Sequence, residues 1–472
     1  MTIGGNPAPV VTTNWSHTQI KCLLPEGQGV NQPVVVISGG QASLPGNFNY
    51  ALPGITNVNP ATGPTVGGAV ITLRGTNFGT SGTVSIGGKP ASVVTTNWSH
   101  TQIQCVLPPG QGVNQSVVVT TAGQSSPAAS FNYGDPIITN VVPALVPTAG
   151  SNTITLWGTN FGVSGFLFVN GQFLSIAVTN WSDSEIKFLS PPGQGTNIPI
   201  FVITGGQSSP TTFYGYAPPG ITNVSPSLGP EIGGITVTLR GTNFGTSGVV
   251  TVGTNGNNAI ISGWSHNQIQ FTLPPGTGTN VPVVVTVGGQ ISPAVGFNYF
   301  RPAITNVSPA TGPTAGGSFI TLKGMYFGTN GTVTIGGNNA FVASTNWSDT
   351  EIQCTLPAGQ GTNVPVIVTS GGQASAPGHF SYFPPGIVNV SPLTGPTAGG
   401  ATITLTGTNF GTSGVMLFNG SVVFVAATNW SDTQIRFALP AGQGTNIAIV
   451  VNTGGQASAP AYFGTLRRPS WG

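Results

Sequence analysis

The chain repeats itself every 83 residues, and this period constrains its fold more than any other property. Trp stands at Trp15, Trp98, Trp181, Trp264, Trp347 and Trp430, and Ile at Ile55, Ile138, Ile221, Ile304 and Ile387. A Gly-x-x-Phe-Gly motif places Phe at Phe78, Phe161, Phe244, Phe327 and Phe410, again 83 apart, with no insertion or deletion in any series. A unit of this length is large enough to be a small domain with its own core. The repeats fall at 53–135, 136–218, 219–301, 302–384 and 385–464, with a partial one at 1–52 and a tail at 465–472. Thr2-Ile3-Gly4-Gly5 aligns with Ser85-Ile86-Gly87-Gly88, so the first repeat lacks its opening strands. Either the sequence is a piece of a longer protein or a neighbouring chain donates the missing strands. The tail is too short to replace several strands, which favours the first explanation.

The fifth repeat shows the local structure. Ile304 to Pro309 reads as a short strand, followed by the turn signals Gly312-Pro313 and Gly316-Gly317. In Ser318–Lys323, Ile320 and Leu322 alternate with Thr321 and Lys323, the two-residue period of a half-buried strand. Gly331 to Gly337 is a third strand entering a tight turn, which reads Asn-Gly at Asn170-Gly171 and Asn419-Gly420. Ala340–Ser344, then Ile352, Cys354 and Leu356, then Val364–Thr369 and a last strand around Phe380–Tyr382 complete about seven strands with frequent turns. This pattern predicts an all-β chain, a tandem array of immunoglobulin-like sandwiches. Short Pro-rich joints such as Tyr216-Ala-Pro-Pro-Gly220 predict semi-rigid spacing. Six such domains in line would make an elongated rod of roughly 200 Å.

The repeat resembles the IPT/TIG family of immunoglobulin-like domains. The likeness rests on Pro302-x-Ile304-x-x-Val307-x-Pro309, Gly312-Pro313-x-x-Gly316-Gly317, Ile320-Thr-Leu-x-Gly324-x-x-Phe327-Gly328 and Trp347-Ser-Asp-Thr-Glu-Ile352. It recurs in five full repeats, with departures at Val142-Pro143 and Gly263. The family occurs in receptor ectodomains, bacterial surface proteins, starch-active enzymes and some transcription factors, so the resemblance implies the fold more firmly than the function. A long array this poor in charge looks like the bacterial secreted or surface type.

Charged residues make up 4% of the chain, and the net charge is +2. Affinity for nucleic acid comes largely from Lys and Arg on phosphates, so no nucleic-acid partner is expected. No apolar run approaches the roughly 20 residues of a membrane-spanning helix, and the start has no signal-peptide pattern. Cys22, Cys105 and Cys354 share one register with Phe188, Phe271 and Phe437, which marks a core position rather than a disulfide framework.

No constellation of residues suggests catalysis, a metal or a cofactor. The Trp reads as a packed anchor more readily than as a sugar-stacking platform. His17, His100, Asp183, His266, Asp349 and Asp432 interchange two residues after it and read as solvated turn or cap residues. Glu185, Glu231 and Glu351 are too scattered in sequence for a calcium cage. Asn-Trp-Ser at Asn14, Asn97, Asn180, Asn346 and Asn429 matches a glycosylation acceptor but also suits a turn. The hairpin after the third strand varies most, making Lys89, Gln172, Asn255, Asn338 and Ser421 the candidate ligand contacts.

The resulting expectation is a non-catalytic extracellular or cell-surface stalk or filament. Its partners would be itself, end to end or laterally, or surface glycans and proteins. The alternative is a carbohydrate-binding array accompanying a catalytic domain outside this sequence.

Overall fold

The alternation of the fifth repeat produces strands at the expected places. The computed structural model describes residues 1–254 and 256–466. The candidate contact Asn255, the side chain of Asn14 and the tail from Arg467 lie outside the described residues. In the fifth repeat β1 is Ala303–Ser308, β2 Thr311–Gly312, β3 Phe319–Met325, β4 Thr332–Ile335 and β5 Asn338–Ala340. After them come β6 (Glu351–Thr355), β7 (Val364–Ser370), β8 (Gln373–Ala374) and β9 (Gly378–Tyr382). One sheet has the order β1-β3-β6, and the other runs β2-β9-β7-β4-β5 with β8 added to β7. Pairing is antiparallel except that β2 runs parallel to β9.

The two sheets close on each other through the alternating side chains. Ile320, Leu322, Ile352 and Cys354 from the first sheet meet Val333, Ile335, Val366, Val368 and Phe380 from the second, and all are buried. Each of the aliphatic and aromatic side chains among them contributes about 1.5–3 kcal/mol on burial. The stretch from 340 to 344, expected to be a strand, leads instead into a 3-10 turn at Ser344–Asn346. The third and sixth repeats have the same turn at Val178–Asn180 and Ala427–Asn429. In the second repeat no turn intervenes, and one strand, Lys89–Trp98, crosses from sheet to sheet. Among the described residues there is no α-helix, so none is long and apolar enough to cross a membrane.

The chain divides into two units, Met1–Ala217 and Pro218–Gly472. The first holds the partial repeat and two full sandwiches, each with its own core. The second holds three sandwiches, again with separate cores. In the partial repeat, positions that are buried elsewhere lie open. Leu24 is 54% exposed where its counterpart Leu107 is 1%, because the strands that would cover it are not in residues 1–52.

The cysteines behave as core residues in the full repeats. Cys105 and Cys354 are buried and free, and burial pushes both thiols up to about 11. Cys22 is partly exposed. In a thiol-reagent assay at pH 8, Cys22 is therefore expected to react quickly, while Cys105 and Cys354 react only after denaturation.

Candidate functional site

The variable hairpins lie where the sequence suggests, at the start of the strand after the tight turn. Lys89 pairs with Ile86, Gln172 with Val169, Asn338 with Ile335 and Ser421 with Phe418. All four are exposed, one per repeat, and the structure does not gather them into a single site. Two are tethered to their own scaffold. Lys89 Nζ donates to the Pro109 carbonyl at 2.8 Å, and Asn338 donates to the equivalent Ala358 carbonyl at 3.2 Å. Gln172 has more interesting company. Phe173 beside it lies 5.1 Å from Phe168 and 6.3 Å from Phe166, and Phe168 stacks on Phe201 at 4.5 Å. Phe166 and Phe173 are 57% and 62% exposed and stand edge to face, so the third repeat turns an aromatic cluster outward. The fifth repeat has Thr332, Thr334, Asn339 and Ile367 at these positions.

The Trp is an anchor, as expected. Trp98, Trp181, Trp264, Trp347 and Trp430 each donate from Nε1 to the carbonyl of the motif Phe, at 2.7–3.0 Å. The residue two positions later is not simply a solvated cap, and here the sequence expectation needs correction. The Asp183 carboxylate accepts the Gly162 N–H at 3.0 Å and the Thr65 hydroxyl of the preceding repeat. Asp432 does the same with Gly411 N–H, at 3.0 Å, and Thr314. Its partner lies in another repeat, which proximity in sequence cannot reveal.

These carboxylates belong to a polar joint that sequence reasoning missed. Between the second and third repeats, Gln207 donates to the Tyr133 carbonyl at 3.0 Å and to the Asp135 carboxylate at 2.6 Å. Gln111 reaches the other way, accepting Val163 N–H at 3.2 Å and donating to the Ser164 carbonyl at 3.3 Å. Asn160 accepts Thr65 N–H at 3.3 Å and donates to the Asp135 carbonyl at 3.1 Å. Tyr133 is fixed from both ends, because its phenol also donates to the Pro108 carbonyl at 2.7 Å. The joint between the fifth and sixth repeats uses Gln456, Gln360, Asn409 and Thr314 in the same roles. One signal was available in the sequence. Gln recurs at the Gly-Gly-Gln turn and at the Gly-Gln-Gly turn, although an exposed turn has no reason to keep a long amide.

Buried amide bonds of this kind couple the repeats. Gln207→Ala removes two donors and leaves the Tyr133 carbonyl short of a partner, a cost of about 1–3 kcal/mol. Spin labels in the second and third repeats are expected to show a broader distance distribution in this variant, with the melting of each sandwich little changed.

Among the described residues no three His, Cys, Asp or Glu converge as a metal cluster. The IPT/TIG domain profile matches residues 53–133, 136–216, 219–299, 302–382 and 385–464. Human fibrocystin-L is 27% identical over 347 residues, which is 70% of this chain. The chain spans 8% of the length of that relative. A human relative lends no support to the bacterial origin that the composition suggests. Among solved structures, the plexin A4 extracellular region covers 85% of the chain and 49% of its own, with 14% identity and a TM-score of 0.21. A crystal structure with xylogluco-oligosaccharide covers 83% of the chain and 89% of its own, with 16% identity and a TM-score of 0.31. The domain matches and the fibrocystin-L likeness describe a tandem array of such domains.

Proposed function

The chain belongs to the IPT/TIG domain family, and from that premise we propose that it is an extracellular spacer or adhesive array without catalysis of its own. The observation that supports this reading is the joint. Within each unit, buried Gln amides bond one repeat to the next, so that each repeat is held at a set position relative to its neighbour. An enzyme or a flexible tether has no need of such joints, whereas a spacer does. Distance measurements between spin labels in adjacent repeats of the intact chain test the reading. Narrow distributions across the second–third and fifth–sixth joints support it, and broad ones at both would sink it. Surface biotinylation of cells expressing the full-length gene tests the extracellular placement, and sedimentation tests association of the array with itself.

A second reading, glycan binding, is favoured by one observation, the Phe166, Phe168, Phe173 and Phe201 cluster of the third repeat. Flat, exposed aromatic rings offer large apolar faces for stacking. Under this reading polysaccharide pull-down retains the chain, and Phe173→Ala together with Phe166→Ala releases it. Equal retention of the variant counts against the cluster.

A further inference from the structure

The joint between the fourth and fifth repeats departs from its siblings at four positions together. It has Glu231 where the siblings have Thr65 and Thr314, and Thr277 in place of Gln28, Gln111 and Gln360. It has Ser370 in place of Thr121, Thr204 and Thr453, and Tyr326 in place of Asn77, Asn160 and Asn409. The first three changes amount to an exchange of oxygens. At two sibling joints the Gln carbonyl oxygen accepts the Thr hydroxyl, from Thr121 at 2.9 Å and from Thr453 at 3.0 Å. Here Ser370 donates instead to Glu231 Oε2, at 3.3 Å. A Cβ placed on Gly328 would fall 2.4 Å from Glu231 Oε2, and the equivalent points at Gly162 and Gly411 lie 2.3 and 2.2 Å from the Gln oxygens. The carboxylate has taken the amide's place.

The exchange leaves one buried acceptor without a donor and takes a hydroxyl donor from another. Asp183 and Asp432 each accept a Thr hydroxyl from the preceding repeat. Asp349, their counterpart, keeps the Gly328 N–H at 3.0 Å, but Glu231 stands where that Thr would be. Glu231 Oε1 has no hydrogen-bond partner, although the residue is only 2% exposed. Glu231, Thr277, Gly328 and Gly371 line a cleft of about 710 Å³, with no Lys, Arg or His among its lining residues. Glu231 thus turns an unpartnered carboxylate oxygen to a cleft that holds no compensating positive charge, close enough to Asp349 to feel its charge.

We propose that this joint binds one hard divalent cation of the Ca²⁺ class between Glu231 and Asp349, with hydroxyl, carbonyl and water oxygens completing its shell. Oxygen-only ligands in a flexible arrangement suit Ca²⁺. A single cation supplies the partner that Glu231 Oε1 lacks and offsets the nearby Asp349 charge as well, whereas a proton neutralises only one carboxylate. The proton is nevertheless the competitor. Burial first, and then the Asp349 charge, push Glu231 up to about 7 against the opposing Ser370 hydrogen bond. The other titratable group at the cleft is the Tyr299 phenol, which is engaged with the Pro274 carbonyl at 2.8 Å. A carboxyl whose folded value is raised stabilises the fold at low pH and loses that contribution as pH rises from its ordinary value through about 7. Cation binding must displace this proton, so affinity is expected to strengthen as pH rises through the same window.

The test is calorimetric titration of the intact, chelator-treated chain with CaCl₂ at pH 8, paired with thermal melting. The wild type is expected to bind and to gain thermal stability. Glu231→Thr restores the residue of the sibling joints, so it is expected to fold, to lose this binding and to melt at the same temperature with or without Ca²⁺. Asp349→Asn is expected to weaken binding at least tenfold. Equal binding by the wild type and Glu231→Thr overturns the assignment. So does a wild type that is stabilised by acidification from pH 8 to 5 but binds no Ca²⁺, which would give the site to a proton.

Discussion

Phe161→Ala is expected to destabilise the third repeat severely while the other sandwiches keep their stability. The ring is fully buried, and it packs against Gly158 so closely that a Cβ there would sit 2.3 Å from its Cζ atom. The same Cβ would sit 2.1 Å from the Ile137 carbonyl, so the Gly of the motif exists to let the ring and the first strand meet. The Phe161 backbone is also committed, receiving Trp181 Nε1 at 3.0 Å and donating to the Asp183 carbonyl at 3.0 Å. Truncating a buried Phe to Ala costs about 3–5 kcal/mol. A domain of this size holds on the order of 4–12 kcal/mol in total, so the loss runs from a quarter of its stability to all of it. The core of this repeat is separate from its neighbours' cores, which confines the damage. Limited proteolysis read by mass spectrometry should show new cuts concentrated within residues 136–218, with a lower urea midpoint. Protection equal to wild type would mean that the core refills around the missing ring.

The motif that makes this prediction possible was plain in the sequence, and so was most of the sandwich. Ile320 and Leu322, or Ile352 and Cys354, face inward because strand geometry alone imposes a two-residue alternation, and local pattern suffices to read it. The joints were not legible for a corresponding reason. Thr65 and Asp183 are 118 residues apart, and each in isolation is an ordinary turn residue. Their pairing depends on how one folded repeat docks on the next, which no periodicity within a repeat encodes. The reading of Glu231 as too far in sequence from other carboxylates for a calcium cage has the same origin, since it ignores the Asp349 that the joint brings near it. The aromatic cluster of the third repeat was also missed. Phe166, Phe168, Phe173 and Phe201 come from three strands and become one surface only when the sheet forms. What the hairpin offered correctly was position. What it could not offer was which hairpin residues bend back to their own scaffold, as Lys89 and Asn338 do.

Gly205→Ala is expected to open the joint between the second and third repeats without unfolding either one. Gly205 and Gly206 form the tight turn that carries Gln207, and both have left-handed backbone, with φ of 54° and 81°. A Cβ on Gly205 would lie 2.4 Å from the amide nitrogen and 2.5 Å from the Cα of Gly112, in the preceding repeat. Backbone on both sides leaves no flexible side chain to move aside, so the two repeats must separate there. Separation also withdraws Gln207 from the Tyr133 carbonyl, so the loss exceeds that of Gln207→Ala alone. Gly206 supplies the control within the same turn, because a Cβ there meets nothing within 4 Å. Both variants carry the left-handed penalty for Ala, about 1–2 kcal/mol, and both should lower the melting of the third repeat by similar amounts. Only Gly205→Ala should broaden the distance distribution between spin labels in the second and third repeats. If Gly206→Ala broadens it equally, the turn's own strain loosens the joint and the close approach to Gly112 is not what holds it. If neither does, the amide bonds of Gln111 and Asn160 are enough to keep the repeats together.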